Sequence, residues 1–369
     1  MRQTDRLIFK EIVGPWTFGV GMFTALLMAA TFLGRLTGYV VDGVPFGQIA
    51  ELFMLLLPSM LTKTFSMAVL LAALLSFGRL SSDSEIVAMK AGGASVYRIV
   101  APAGLFAIAV ALLTFVFNET IVPSSARASL ALGVRIVQAK KVTAAMPVSK
   151  TQIENGKLRL GILAKNANAA DGSLEGVTVV QYDDAGKESL IMLAKTVTFT
   201  SLDNWRVRGG AVLFTPDFRF RTTLDGDVWP EGIAQPRGSF TDLLKERDDD
   251  FDSMSMSELA TVIRNHRANG TRTSAQIANY EYGYWNKLSI PLAAVVFGVL
   301  GAVLGIRNHR TGTAAGFALA VAIIFGYYML ANFMAVWSQN GAIPPWAAAF
   351  GPIVIGAVCA GFLVHQRNQ

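Results

Sequence analysis

Ser82-Asp83-Ser84-Glu85-Ile86-Val87-Ala88-Met89-Lys90-Ala91-Gly92-Gly93 is a short polar island between two long apolar runs, and its reading decides the fold. Ser82 and Glu85 stand at the S-x-x-E spacing of a capping box, in which a hydroxyl and a carboxylate satisfy backbone N–H groups at a helix start. Gly92 and Gly93 follow about two turns later, where glycine takes the left-handed conformation that ends helices. The stretch predicts a small, deliberately terminated helix joining two membrane spans.

Composition agrees with a membrane chain. The 369 residues are 52% hydrophobic and only 16% charged, with mean hydropathy +0.43, whereas an ordinary soluble domain carries roughly 25% charge. The single cysteine, Cys359, lies in an apolar run and excludes an intrachain disulfide framework and any cysteine-based zinc site. The basic start, Met1 to Lys10, precedes an apolar run too long for a signal peptide and without a clear cleavage site, so it reads as an uncleaved first span.

Apolar runs of spanning length occur at about Ile12–Val41, Phe46–Phe77 and Ile99–Val122, the third closing at Pro123. Three more follow at Leu288–Ile306, Thr313–Trp337 and Trp346–Val364. Six spans result, three before and three after a polar insert. Basic residues accumulate on the cytoplasmic side of membrane proteins. Arg2, Arg6, Lys10, Arg79, Lys90, Arg98, Arg307, Arg310 and Arg367 all fall on one side if the spans alternate, while Asp42–Pro45 and Ser338–Pro345 carry no Lys or Arg. Both termini and the 82–93 helix are therefore expected in the cytoplasm, and the insert outside it.

The insert changes to strand periodicity. Lys157–Ile162 alternates, Val177–Tyr182 and Thr196–Thr200 are rich in β-branched and aromatic residues, and Trp205–Arg208 and Phe218–Arg221 alternate again. Asp183-Asp184-Ala185-Gly186 and Asp203-Asn204 are turn signals between them. This spacing predicts an antiparallel sandwich or jelly roll. Ser255-x-x-Glu258 then opens a helix ending near Gly270, and a long helix starts near Ser274 and runs into the fourth span. The expected division is 1–123 for the first three transmembrane helices including the helix at 82–93, 124–273 for the β-jellyroll-like domain with flanking helices, and 274–369 for the last three.

No Walker A loop, zinc-protease motif or nucleophile elbow occurs, and the three histidines, His266, His309 and His365, lie in separate regions. No catalytic residue, metal ligand or cofactor site is expected. Charge inside the spans is more informative, because a cation at the centre of a span costs about 2.5–3.5 kcal/mol on insertion scales and so faces a cavity or a partner. Lys63 lies near the middle of the second span, where the plainer reading is an internal ion pair and the sharper one a cavity-lining cation. Arg35, near the far end of the first, either snorkels to the interface or meets a ligand. Arg127 and Arg135 follow the third span on a broad common helix face. With Arg35 they are suited to phosphorylated lipid, since guanidinium groups bind phosphate through paired hydrogen bonds; the alternative is a solvated basic stem. On the 82–93 helix, Ile86 and Met89 share an apolar side while Asp83, Glu85 and Lys90 offer charge. The plainer readings are a helix lying on the membrane surface or packed against its own spans; acid in its first turn argues against an anionic lipid surface and for a cytosolic protein partner.

Leu80–Gly93, with its core Ser84-Glu85-Ile86-Val87-Ala88-Met89-Lys90-Ala91-Gly92, resembles the cytoplasmic signature of the lipopolysaccharide export permeases, the paired F and G subunits of the Lpt transporter, also called the YjgP/YjgQ family. Trp285-Asn286-Lys287 with Pro291, and Gly341-Ala342-Ile343-Pro344-Pro345, resemble it further along, and the order of three spans, an external β-jellyroll and three spans covers the whole chain. The resemblance implies an inner-membrane half-transporter that pairs with a second permease, a cytosolic ABC ATPase dimer and periplasmic jellyroll proteins, and that carries lipopolysaccharide. It makes Ser84–Gly92 the coupling helix, with Glu85 as the characteristic carboxylate and Ser84, Ile86, Met89 and Lys90 beside it. It also places Arg35 at a lipid A phosphate and leaves ATP and Mg to the partner ATPase. Two other classes stand against it: a membrane-anchored scaffold for envelope assembly, and an intramembrane enzyme acting on lipid head groups. The enzyme requires acids or histidines clustered at one membrane depth, which the sequence does not supply.

Overall fold

The computed structural model describes residues 3–41, 43–140, 148–154, 157–168, 172–183, 185–201, 204–217, 221–224, 226–236, 251, 254–269, 274–306 and 313–368. In chain order the helices are α1 (Gln3–Val41), α2 (Phe46–Ser82), α3 (Glu85–Ala91), α4 (Val96–Val116), α5 (Val122–Lys140), α6 (Met256–Asn269), α7 (Ser274–Gly305), α8 (Thr313–Gln339) and α9 (Pro345–Asn368). Six segments among them are long and apolar enough to cross a membrane, three on each side of the β region. The third extends further than Pro123 predicts. Between α4 and α5 the chain makes a π turn, Phe117–Ile121, in which the Val122 N–H bonds to the Phe117 carbonyl. A π turn widens the helix locally, which lets the Pro123 ring pass without ending the helix, and α5 runs on to Lys140.

The bundle is organised around α2, whose span is 78% buried, against 17% for α8. The α2 helix packs against both α1 and α7, and α7 approaches it closely because α7 presents glycines at Gly301 and Gly305. A Cβ at Gly301 would lie 2.7 Å from the Leu70 carbonyl oxygen, and one at Gly305 would lie 2.9 Å from that of Leu74. Small residues at such contacts let helix backbones pack against each other in lipid, where burial from water supplies no drive. Around this seam Ile12, Val69, Ala72, Phe77, Ala107, Ala294, Ala302 and Val303 form a continuous core.

The β region is one antiparallel sheet of six strands in sequential order: β1 (Val148–Glu154), β2 (Lys157–Asn168), β3 (Ser173–Tyr182), β4 (Glu188–Ser201), β5 (Asn204–Phe214) and β6 (Arg221–Leu224). This is an up-and-down meander, and the described strands contain no Greek-key crossing of the kind that defines a jelly roll. The β3–β4 turn forms as its sequence predicts: Asp183 Oδ1 accepts from the N–H groups of Ala185 (2.9 Å) and Lys187 (2.8 Å), and Gly186 takes φ +77°. Phe218-Arg219-Phe220 lies outside the described residues, and β6 begins at Arg221.

Strict alternation fails along one line across the sheet. Lys165 of β2, Gly176 of β3, Lys195 of β4 and the pair Gly209–Gly210 of β5 sit at one level, and the ladder skips all of them. Gly176, Gly209 and Gly210 have φ of +62°, +76° and +84°, a region glycine enters without a Cβ penalty. The inward phase therefore switches at this crease, so Ala164 and Ala167, Leu174 and Val177, and Ala194 and Val197 all face one core despite odd spacings. Trp205, Trp229 and Ile233 complete that core, the Trp229 indole N–H donating to the Ile233 carbonyl at 2.9 Å.

Candidate functional site: the α3 junction and an intramembrane polar crevice

The helix predicted at 82–93 exists, but it starts differently. The α2 helix runs through Ser82, whose hydroxyl donates back to the Arg79 carbonyl at 2.8 Å, so the Ser82–Glu85 capping box does not form. Ser84 is the N-cap instead, in the left-handed region at φ 62°, ψ 10° and without a side-chain cap. It is the one non-glycine residue with positive φ among those described, a conformation that costs a β-carbon residue about 1–2 kcal/mol. The C-terminus is as predicted. Gly93 takes φ +83°, its N–H bonds to the Lys90 carbonyl at 2.9 Å and the Ala94 N–H bonds to that of Met89 at 3.1 Å, which is a Schellman motif.

The apolar side of α3 is turned inward. Ile86 is 2% exposed and packs with Ile8 and Ile12 of α1, Leu80 of α2, Val96 and Ile99 of α4 and Val364 of α9, with Met89 against the same cluster. These two residues root the helix in its own bundle, the alternative of packing against the chain's own spans, because a seven-residue helix has too few backbone bonds to stand alone. What α3 offers outward is Ser84, Val87 and Lys90, with Glu85 half-buried in its first turn. The Lys90 ammonium reaches the Arg367 carbonyl at the end of α9, 3.4 Å away.

Toward the other end of the bundle, the spans enclose a polar crevice. It is lined by Ser59, Thr62 and Lys63 of α2, Asn118 of the π turn, Val122 of α5, and Gly283, Asn286, Lys287 and Ile290 of α7. Lys63 is half-buried, whereas Lys287 and Asn118 are 5% and 6% exposed. Two lysines and two amides thus share one site between apolar helices. Its volume, about 20 Å³, holds about one water and no lipid chain. The sequence placed Lys287 at the edge of the fourth span; because α7 begins at Ser274, it lies near the helix middle. The helix start expected near Ser274 is borne out, and it was the signal that Lys287 lies inside the helix.

The other expected cations are placed differently. Arg35 lies in α1, and its side chain is outside the described residues. Arg135 is exposed on α5. Arg127 is exposed too, but its guanidinium donates to Glu258 Oε1 of α6 at 2.6 Å rather than standing open to a phosphate. Glu258 is also half of the capping box predicted for that helix: it accepts from the Ser255 N–H at 2.7 Å while the Ser255 hydroxyl accepts from the Glu258 N–H at 3.2 Å. The Ser255 backbone donor, with Arg127 adding to it, holds the Glu258 carboxyl below its ordinary value of 4.5 against the opposing effect of burial. Glu119 of the π turn accepts from the Met256 N–H at 3.1 Å, so α6 is fastened by its first turn to the helix carrying Arg127. At its far end Arg267 pairs with Glu281 of α7. No cluster of three or more metal-ligating side chains occurs among the described residues.

The sequence model of the family described as lipopolysaccharide export system permease LptF/LptG matches residues 6–366 of this chain. The permease protein LptG of Escherichia coli K12 is 24% identical over 357 residues, covering 90% of this chain and 92% of that protein. LptG of Escherichia coli O6:H1 matches to the same extent. With six spans, an antiparallel sheet between the third and fourth and a family match along nearly its whole length, the chain belongs to the LptF/LptG lipopolysaccharide export permeases, multi-pass inner-membrane transporter subunits rather than enzymes.

Proposed function

We propose that this chain is one permease of an ATP-driven lipopolysaccharide exporter, pairing with a second homologous permease and docking a cytosolic ABC ATPase dimer through α3. The observation that carries this reading is the α3 junction: a short helix, terminated at both ends, rooted by Ile86 in the bundle and presenting Ser84, Val87 and Lys90 outward beside Glu85. Glu85 and Lys90 supply the charge a protein partner recognises, and Ile86 and Met89 carry its movement into the spans. The one-sided distribution of basic residues supports a cytoplasmic α3 and termini, with the sheet in the periplasm. ATP and Mg bind the partner.

Lipid enters between the first, second and fifth spans, of which α1 and α8 are sparsely buried, and those of the second permease. Arg35 and Lys63 meet its phosphates, with Lys287 behind Lys63. Arg135 belongs to the same basic flank, and Arg127 acts there through its pair with Glu258. The periplasmic sheet receives the lipid and passes it to other jellyroll proteins. Copurification of the chain with its companion permease and ATPase, followed by lipid-stimulated ATP hydrolysis, tests the assignment. Stimulation by lipopolysaccharide is expected. A stable complex whose hydrolysis ignores lipid favours the scaffold reading instead. Photocrosslinking to lipid is expected to fall in the Arg35→Ala, Lys63→Ala double variant, and wild-type crosslinking would remove both residues from the lipid path.

A further inference from the structure

The most specific contacts at the α3 end of the bundle concern not α3 itself but the helix beside it. Pro15 lies inside α1, and a proline at that position has no N–H to give to the carbonyl four residues earlier. That carbonyl belongs to Glu11, and the Ser76 hydroxyl of α2 donates to it at 2.8 Å. One turn further along α2, Arg79 Nη2 lies 3.0 Å from Glu11 Oε1, and Arg79 Nε lies 3.7 Å from Asp83 Oδ2. Asp83 is the residue that leaves α2, and Ser84 after it holds the strained entry to α3. Glu11 is therefore attached to α2 by both its backbone and its side chain. Ile8 and Ile12 beside it belong to the same buried cluster as Ile86.

We propose that Arg79 is a positioning residue that clasps the start of α1 to the α3 junction, so that displacement of α3 is delivered to α1. This rests on the reading of α3 as the ATPase-coupling helix. The direction follows from the contacts. The side chain of Arg79 spans from the turn that must move with α3 to the stretch of α1 before its proline. Residues Glu11 and Arg35 are about 36 Å apart along a helix axis at 1.5 Å per residue, so a shift of the clasped end is carried toward the end of α1 that holds Arg35. The ion pair is solvent-facing, with Arg79 61% exposed. Its role is to fix the orientation of a junction whose packing the shared cluster of α1, α2, α3 and α4 provides.

Two measurements test it. In the first, Cys359 is replaced by alanine and spin labels are placed at positions 7 and 87, where Leu7 and Val87 are exposed. Distances are recorded on the purified full-length chain in micelles. A single narrow distance is expected, broadened by Arg79→Ala. It should be narrow again in the charge exchange Arg79→Glu with Glu11→Arg, made in an Asp83→Asn background to remove the repulsion that the relocated carboxylate would otherwise meet. In the second, lipid released per ATP hydrolysed is measured with the reconstituted transporter. Arg79→Ala is expected to lower this ratio about two- to fivefold, the scale of an exposed ion pair, and the exchange to restore it. An unchanged distance distribution and an unchanged ratio in Arg79→Ala overturn the clasp. If the wild-type transporter does not couple ATP to lipid, the exporter reading fails, while the distance measurement still decides the clasp.

Discussion

Replacing Gly301 with alanine tests the seam that holds both candidate sites in place. The new Cβ would stand 2.7 Å from the Leu70 carbonyl oxygen and 3.0 Å from the Ala73 Cβ. Both neighbours belong to a single rigid helix, so relief requires α2 and α7 to separate. Gly326 of α8 is the natural control, since a Cβ there meets nothing within 4 Å. Both changes gain the same helix propensity, about 1 kcal/mol for alanine over glycine, so their difference isolates the clash. Overpacking in a close-packed interior costs about 1–3 kcal/mol, and Gly301→Ala is expected to be less stable than Gly326→Ala by that amount. Reversible unfolding of each variant in mixed micelles against added SDS measures it. If the two variants agree within about 0.5 kcal/mol, the range of unremarkable surface substitutions, the helices are not in backbone contact and Gly301 has no special role.

Three further outcomes follow from local geometry. Ser84→Gly should be tolerated and relieve about 1 kcal/mol of left-handed strain, whereas Ser84→Val should loosen α3; amide exchange across Glu85–Ala91 distinguishes them. Asp183→Ala removes an acceptor shared by two backbone N–H groups, and should destabilise the sheet by about 1 kcal/mol in thermal unfolding followed by tryptophan fluorescence. Because the Glu258 carboxyl is held below 4.5, its contribution to α6 is fully present above 4.5 and is lost as pH falls through the lowered value. Exchange protection of Met256–Asn269, corrected for intrinsic rates, should therefore drop in strong acid, and Glu258→Gln should show the same loss at neutral pH. Protection independent of both would show that α6 is held by other contacts.

Much of this architecture was legible because it rests on one-dimensional signals. Six apolar runs, a terminated α3 and the Ser255–Glu258 capping box are local patterns, and each stands where periodicity placed it. What escaped were features in which a distant partner overrides a local rule. Pro123 reads as the end of the third span with a helix beyond it, but the π turn that joins the two has no one-dimensional signal. Ser82 and Glu85 have capping-box spacing, but α2 continues past the cap position, since Leu80 and Ser81 are buried in the bundle. Lys287 lies within the helix expected from Ser274, but the crevice that it shares with Lys63 forms only where α2 and α7 pack side by side. In the sheet, alternation predicts the core only on one side of the crease, and the glycines that shift its phase at Gly176, Gly209 and Gly210 are weak signals singly. Ile86 is the functional counterpart: helical periodicity identified an apolar face, but not whether the chain itself or another protein covers it.

The central claim, that α3 couples a partner's ATP cycle to lipid movement through this chain, is tested most directly by ATP-dependent release of lipopolysaccharide from proteoliposomes containing this chain, its companion permease and the ATPase. The account predicts release that needs ATP and falls sharply in Glu85→Ala while the ATPase remains bound. Full release by an assembled Glu85→Ala transporter, or none by the wild type under active ATP hydrolysis, contradicts it.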